Sequence, residues 1–360
     1  MRIELPISKS IANRLLILQA IHGDGLMTVS CDMPDDVQIL HNALTTLRTS
    51  KTLSTPHIDV GNCGTAMRFL TAYCAQLEGQ TTILDGVERM HHRPIGQLVD
   101  ALREIGADIE YLGEEGFPPL RIKGCILDKR RIVTINNPQS TQFVSALLLI
   151  GANVQTDSMS PYIYITQEVI KQYQLSPFSF HISVEKDWSS AAFWYEYVAL
   201  YGGEITLLGL SRDSLQGDKI VADIFAHLGI YTTYTAEGIT LSPIAYSEAS
   251  YSPLSGRPIA AQAASRSKIL VQDFGNCPDL YPAVALTCER LGVELHATGV
   301  ESLPLKESDR LRAVAEHRTD ADHRMAMALL IAGYEVDDTA CISKSYPNFI
   351  EHFRHINSLK

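Results

Sequence analysis

One arrangement of predicted elements occurs twice and restricts the folds that this chain can adopt. Residues 98–123 are predicted to form a helix ending in Ile-Gly, a strand, a glycine-containing turn and a second strand. Residues 221–241 repeat that order, with a helix that ends in Leu-Gly. Recurrence of such a unit predicts an α/β fold built by duplication.

Length, charge and cysteine content limit the classes of protein to consider. The 360 residues are enough for two domains with a core in each, and the formal net charge of −11 disfavours a nucleic-acid partner. The seven cysteines include no Cys-x-x-Cys pair, which argues against a disulfide framework or a zinc site. We see no membrane span and no signal-peptide pattern, so we expect a cytoplasmic enzyme without a membrane partner.

Two segments near the C-terminus carry clustered charges. Residues 306–310, Lys-Glu-Ser-Asp-Arg, place two cations and two carboxylates in five positions. Residues 322–324, Asp-His-Arg, directly precede the apolar run 325–331, which predicts a buried helix. An exposed helix face would spread its charges in i, i+4 pairs, whereas clusters at the ends of elements are typical of catalytic and anion-binding groups. We therefore expect a small, strongly anionic ligand.

Other predicted helices begin with hydroxyl, glycine or basic side chains. The stretches that do so are 8–14, 61–68, 93–96, 140–143 and 187–190. Each alone is compatible with an ordinary helix cap or with a phosphate site, and their number favours anion binding. We interpret Cys63 as a small buried hydrophobe, and the pair His91-His92 lacks further ligands at metal-binding spacing.

Asp279 lies in a turn before the predicted helix 283–290. It is compatible with an N-cap and equally with a general base held on a rigid turn. The residues themselves leave both interpretations open.

The motifs as a set resemble those of the EPSP synthase family (3-phosphoshikimate 1-carboxyvinyltransferase). They occur in family order over nearly the whole chain, and the pair at 306–310 and 322–327 is highly specific. The matching stretches are 5–14, 61–68, 93–96, 140–143, 187–191, 278–279, 306–310, 322–327 and 343–347.

The resemblance implies an α/β fold of two similar domains, each built from repeated βαβαββ units as an inside-out α/β barrel. The first domain would span residues 8–184 and bind mainly shikimate 3-phosphate. The second would comprise residues 1–7 and 185–360 and carry Asp279 with the two charged motifs. Arg310 and Asp322 are only twelve positions apart. The family has a helix, two strands and a loop there, so we expect the third repeat of the second domain to lack its hairpin.

The reaction implied by the resemblance transfers the enolpyruvyl group of phosphoenolpyruvate to the 5-hydroxyl of shikimate 3-phosphate. The products are 5-enolpyruvylshikimate 3-phosphate and phosphate. No metal or organic cofactor is implied; the partners are the two small-molecule substrates, and we expect a monomer. One alternative is a catalytically weak homologue that still binds shikimate 3-phosphate, because Met159, Ser302 and Pro304 replace residues usual in the family. The other alternative is UDP-N-acetylglucosamine enolpyruvyl transferase. The two charged motifs argue against it, because they mark the shikimate branch of the family.

Family likeness also implies roles for individual residues. Asp279 would accept the proton of the 5-hydroxyl, Glu307 would transfer a proton near the methylene carbon, and Lys9 would contact both substrates. The set implied for shikimate 3-phosphate is Lys9, Ser10, Arg14, Ser140, Thr141, Gln142, Asp279 and Lys306. The set implied for phosphoenolpyruvate is Lys9, Asn62, Gly64, Arg93, Gln142, Arg310, Arg324 and Lys344. Many fixed cations suit ligands that carry phosphates and carboxylates.

Overall fold

A computed structural model describes residues 1–49, 55–175, 184–244 and 268–358. The chain divides into two compact units, which we describe separately. Lys9–Cys31 and Asp35–Val184 form the N-terminal unit, and Met1–Ser8, Asp32–Pro34 and Glu185–Lys360 form the C-terminal unit. Within the described ranges, no helix has both the length and the apolar character needed to cross a membrane.

The N-terminal unit contains a four-stranded sheet and a separate parallel pair of strands. The sheet has the order β2-β3-β5-β4, with β2 parallel to β3 and β5 antiparallel to both of its neighbours. The strands are β2 (His57–Asp59), β3 (Thr81–Asp85), β4 (Asp108–Tyr111), β5 (Leu120–Lys123), and the pair β6 (Ile132–Thr134) and β7 (Asn153–Gln155). The helices are α1 (Lys9–His22), α2 (Asp35–Thr49), α3 (Gly64–Ala75), α4 (Gly96–Glu104), α5 (Thr141–Leu149) and α6 (Pro161–Leu175).

The C-terminal unit has the same kinds of sheet. Its four-stranded sheet has the order β1-β8-β10-β9, with β1 parallel to β8 and β10 antiparallel to both of its neighbours. The strands are β1 (Arg2–Glu4), β8 (Ile205–Leu208), β9 (Ile230–Tyr234), β10 (Gly238–Pro243), and the parallel pair β11 (Ile269–Asp273) and β12 (Glu294–Thr298). The helices are α7 (Trp188–Tyr201), α8 (Val221–His227), α9 (Tyr281–Leu291), α10 (Arg310–Glu316), α11 (His323–Ala332) and α12 (Phe349–Ser358).

The internal repeat predicted from sequence is present in both units. One βαβαββ unit runs from β2 through α3, β3 and α4 to β4 and β5, and the other from β1 through α7, β8 and α8 to β9 and β10. The helix α4 buries Leu98, Val99 and Leu102 on one face, as a helix that covers a sheet must. Shorter βαβα arrangements follow, from β6 to α6 and from β11 to α10. The described residues add no further strand to either parallel pair.

The connection from α10 to α11 is short, as predicted, and carries no strand. His317 ends α10 in the left-handed region with φ of 51°, and its ring stacks on Tyr334 with 4.0 Å between centroids. Its Nε2 atom also lies 2.9 Å from Oε1 of Glu289. These contacts fix the point where α10 ends. The buried helix predicted over 325–331 forms the main part of α11. The chain therefore passes from the first charged motif to the second through α10 and this short connection.

Candidate active site

At the start of α3, the guanidinium groups of Arg68 and Arg93 lie against Gly64. Gly64 is the first residue of α3, and a Cβ atom there would collide with Nη1 of Arg68 and Nη2 of Arg93. Because glycine has no Cβ atom, both guanidinium groups can lie this close to the helix N-terminus, where backbone N–H groups also favour an anion. Cys63 is buried as predicted, and its Sγ atom additionally caps α3 by accepting from Ala66 N at 3.4 Å.

Arg68 is a component of this site that the sequence interpretation missed. Its Nη2 atom donates to the Pro94 carbonyl at 3.4 Å, whereas Nε and Nη1 are buried with no hydrogen-bond partner among the described residues. Burial and, secondarily, the charge of Arg93 hold the pKa of Arg68 well below its usual value. Two cations this close favour an anion between them. The i, i+4 spacing of Gly64 and Arg68 was the available signal, because it places both on one helix face.

Several residues predicted to bind phosphoenolpyruvate gather around the same helix start. Arg93 Nη1 donates to the Asn62 carbonyl at 3.3 Å. Gln142 Nε2 donates to Thr65 Oγ1 at 2.8 Å, which joins the first turn of α5 to the first turn of α3. The structure thus brings Asn62, Gly64, Arg93 and Gln142 together.

Several residues predicted to bind shikimate 3-phosphate lie in the first two turns of α1 and at the start of α5. Ser140 caps α5 by accepting from Gln142 N at 3.4 Å, and Thr141 is the first residue of that helix. Arg14 is buried, and its three nitrogens donate to neutral acceptors, including the Ser10 carbonyl at 2.7 Å. Burial lowers the pKa of Arg14 to about 10. Lys9, the first residue of α1, lies with Nζ 3.1 Å from Oδ2 of Asp36.

In the C-terminal unit, Asp279 bridges the two charged motifs. Its Oδ1 atom lies 2.8 Å from Arg310 Nη1 and its Oδ2 atom 2.8 Å from Arg324 Nη2. The N-cap interpretation of Asp279 is wrong, because α9 begins at Tyr281 with Leu280 as its cap residue. Arg324 Nη1 is buried with no hydrogen-bond partner within the part of the chain that the structure describes. That donor is available to an anion.

Asp322 contacts the side chain of Arg310 and the backbone of Arg324. It accepts from Arg310 Nε at 2.8 Å and from Ser308 Oγ at 3.2 Å, and it caps α11 by accepting from Arg324 N at 2.9 Å. Burial raises the pKa of Asp322, but the charge and hydrogen bond of Arg310 together with the charge of His323 lower it below its usual value. Burial likewise opposes the charge of Arg310, but Asp322 and Asp279 raise its pKa above the usual value. The carboxylate and guanidinium groups therefore stay ionised.

Glu307 lies between a cation and an imidazole. Its Oε1 atom is 3.1 Å from Lys344 Nζ, and its Oε2 atom is 2.7 Å from His323 Nδ1. Glu307, Asp322 and His323 place possible metal-ligand atoms within 4.8 Å of one another. Lys344 and Arg310 already bind these carboxylates, so a divalent cation would face two fixed positive charges. The geometry suits proton transfer beside an anion better than metal binding.

Asp218 is a second residue that the sequence interpretation missed. It lies in the short helical turn Gly217–Ile220 and is buried, and its Oδ1 atom has no hydrogen-bond partner among the described residues. Burial and the negative charge of Asp279 raise the pKa of Asp218 to about 8, against the opposing charges of Arg324 and Lys306. Asp218 therefore keeps its proton at neutral pH, beside an Asp279 that is paired with two arginines.

Replacing Asp218 by asparagine is expected to change how the stability of the C-terminal unit depends on pH. The pKa of an aspartate in an unfolded chain is about 4, whereas the pKa of Asp218 in the folded protein is about 8. The folded state thus holds a proton that the unfolded state releases, and wild-type stability falls by about 1 kcal/mol per pH unit between these values. Denaturant titrations at about pH 5 and about pH 7 should show a smaller fall in the variant. Equal falls in both proteins would mean that Asp218 is already ionised in the folded state.

The predicted site residues divide between the two units. The N-terminal unit holds Lys9, Ser10, Arg14, Asn62, Gly64, Arg93, Ser140, Thr141 and Gln142. The C-terminal unit holds Asp279, Lys306, Glu307, Arg310, Arg324 and Lys344. Each unit therefore contains its own group of cations.

Solved structures share this fold. EPSP synthase from Acinetobacter baumannii matches with a TM-score of 0.63 and 18% sequence identity, over 98% of this chain and 94% of that chain. A second EPSP synthase structure from the same species matches with a TM-score of 0.62. The fold class predicted from sequence is confirmed, since the chain shares the fold of these two structures.

Sequence comparison identifies the family more narrowly. The sequence model of the family EPSP synthase (3-phosphoshikimate 1-carboxyvinyltransferase) matches residues 1–175, 150–319 and 313–353. Proteins named 3-phosphoshikimate 1-carboxyvinyltransferase are similar to the chain: that of Bacteroides fragilis (strain ATCC 25285) is 36% identical over 98% of this chain and 94% of its own length, and that of Cellvibrio japonicus is 31% identical over 99% and 96%. The chain belongs to the EPSP synthase family. The predictions of this family and of a transferase in aromatic amino-acid biosynthesis are confirmed.

The comparisons also bear on the short connection between α10 and α11. The alignment with the Bacteroides relative extends over 414 residues, although this chain has 360. The relative therefore has internal segments that this chain lacks. Two of the matched family segments, 150–319 and 313–353, overlap at residues 313–319, which lie in α10 and the connection that follows it.

Proposed function

We propose that this chain transfers the enolpyruvyl group of phosphoenolpyruvate to the 5-hydroxyl of shikimate 3-phosphate and releases phosphate. The observation that carries this proposal is the Asp279 carboxylate held at 2.8 Å by both Arg310 and Arg324. Each charged motif supplies one of these arginines. Family membership supports the same reaction, since the EPSP synthase family uses these two substrates.

The groups of cations account for the binding of two polyanionic substrates. Asn62, Gly64, Arg93 and Gln142 would hold phosphoenolpyruvate together with Arg310, Arg324 and Lys344. Lys9, Ser10, Arg14, Ser140, Thr141, Gln142 and Lys306 would hold shikimate 3-phosphate, mainly in the N-terminal unit. The available donors of Arg68 and Arg324 support anion binding in each unit, because a buried guanidinium N–H without an acceptor is costly.

The carboxylates account for the proton transfers. Asp279 would accept the proton of the 5-hydroxyl as that oxygen bonds to the carbon of phosphoenolpyruvate that carries the phosphate. Glu307 would act near the methylene carbon, which gains a proton before the attack and loses one when phosphate leaves. Its contacts with Lys344 and His323 fix the carboxylate, as a proton-transfer group requires. We further propose that the protein acts as a monomer in the cytoplasm.

Phosphate release tests this function. Purified protein is incubated with both substrates and with each omitted in turn, and we expect release only when both are present. Asp279→Asn keeps the shape of the side chain and should reduce the rate by about 1000-fold through loss of the proton acceptor. Glu110→Gln, which alters an exposed ion pair with Arg121, is the matched control and should retain the wild-type rate.

The alternative of a weak homologue predicts a different result. Met159 is 93% exposed, so its side chain does not block the start of α6. If shikimate 3-phosphate raises the melting temperature but no phosphate appears, the chain binds that substrate without turnover. If neither substrate changes the melting temperature or releases phosphate, the proposed function is wrong.

A further inference from the structure

Lys9 lies where a cation is intrinsically unfavourable. It is the first residue of α1, next to the positive end of the helix dipole. Its side chain is only 14% exposed, so solvent offers little compensation. A lysine stem has four rotatable bonds, and an ammonium group in this position needs a fixed partner to remain in one place.

Asp36 supplies that partner from another helix. It lies in the first turn of α2, its side chain is 4% exposed, and its Oδ2 atom is 3.1 Å from Lys9 Nζ. The dipole of α2 favours a carboxylate in its first turn. The negative charge of Asp36 in turn offsets the unfavourable effect of the α1 dipole on Lys9. Because both side chains are largely buried, the charges are screened less than in an exposed ion pair.

The same turn of α2 also contacts the start of α3. The Cys63 thiol donates to the backbone carbonyl of Asp36 with a separation of 3.8 Å, and Cys63 is the N-cap of α3. Asp36 therefore touches Lys9 through its side chain and the residue preceding Gly64 through its backbone. The first turn of α2 connects two segments that the proposed function assigns to substrate binding.

We propose that Asp36 is a positioning residue that holds the Lys9 ammonium group in place for the bound substrates. This inference rests on the proposed function, because Lys9 is the residue through which Asp36 acts. Asp36 itself contacts neither substrate. The opposite role is a competitor that occupies Lys9 until a substrate displaces it, and the two roles predict opposite changes in KM.

The test compares Asp36→Asn and Asp36→Glu with wild type, with Glu110→Gln as control. Steady-state kinetics give kcat and KM for each substrate, and calorimetry gives the Kd of shikimate 3-phosphate without turnover. We expect Asp36→Asn to reduce kcat/KM on the order of 100-fold, as misplacement of a substrate-holding group does. The Kd should rise, and Asp36→Glu, which keeps the charge, should recover part of both losses.

Three results would overturn the inference. A lower KM in Asp36→Asn would make Asp36 a competitor, and unchanged kinetics would leave it without a role. Equal losses in Asn and Glu variants, in step with their melting temperatures, would make its role purely structural.

Failure of the proposed function would appear separately, as wild-type protein that releases no phosphate. In that event the Kd of shikimate 3-phosphate decides alone: a rise in Asp36→Asn supports the inference, and an unchanged Kd, or no binding by wild type, overturns it.

Discussion

Replacing Asp322 by alanine is expected to lower the free energy of unfolding by about 3–5 kcal/mol, because it removes one of the two carboxylates that pair with the buried guanidinium of Arg310. The side chains of Arg310 and Asp322 are 2% and 0% exposed, and their closest atoms are 2.8 Å apart. The change also removes the cap of α11, where the carboxylate accepts from Arg324 N. Denaturant titration followed by circular dichroism measures the loss.

An exposed ion pair provides the control for this experiment. Glu110 and Arg121 are 59% and 46% exposed, so Glu110→Ala should cost less than about 1 kcal/mol. We also expect Asp322→Ala to abolish phosphate release under conditions where the variant stays folded, because Arg310 loses a carboxylate that orients it and α11, which carries Arg324, loses its cap. A cost for Asp322→Ala as small as that of the control would mean that Asp279 alone is sufficient to pair Arg310, and that the Asp322 carboxylate contributes little to stability.

The C-terminal part of this site could be predicted from sequence because its residues cluster locally. Lys306–Arg310 and Asp322–Arg324 stand at the starts of α10 and α11, where side chains that cap or precede a helix are already directed toward its N-terminus. The short connection was predictable from spacing alone. The helix–hairpin repeat was predictable because a helix ending in Ile-Gly or Leu-Gly is followed in both places by a strand, a turn and a second strand.

Other parts of the site depend on contacts between residues distant in sequence. Asp279 could not be distinguished from an N-cap, because its partner Arg310 lies 31 positions further on. Asp36 and Asp218 resemble ordinary aspartates near helix starts, and only burial and the neighbouring charges reveal them. Arg68 follows Gly64 by four residues, so in the sequence it could be read as part of the first turns of an ordinary capped helix. Its significance depends on Arg93, which comes from another element.

Arg68 also gives the second large expected effect. Arg68→Met should stabilise the N-terminal unit in the absence of ligand, and the same change should weaken anion binding. The buried Nε and Nη1 atoms have no acceptor among the described residues, and an unsatisfied buried polar group costs about 1–3 kcal/mol. Methionine matches the length of the stem and can keep the packing of Arg68 beside Phe143, whose ring centroid is 5.9 Å from the guanidinium. We expect a higher melting temperature without ligand.

Binding should change in the opposite direction. Hydrogen bonds from a charged donor contribute about 1.5–3 kcal/mol, so the Kd of phosphoenolpyruvate, measured by calorimetry with shikimate 3-phosphate present, should rise about 10- to 100-fold. Arg103→Met is the matched control, because Arg103 donates to the Ile109 carbonyl at 2.6 Å and packs against Tyr111. That variant should lose stability and keep its affinity. If Arg68→Met behaved in the same way, Arg68 would serve packing alone; a gain in stability with a loss of affinity would mean that its unpaired donors are retained for the ligand.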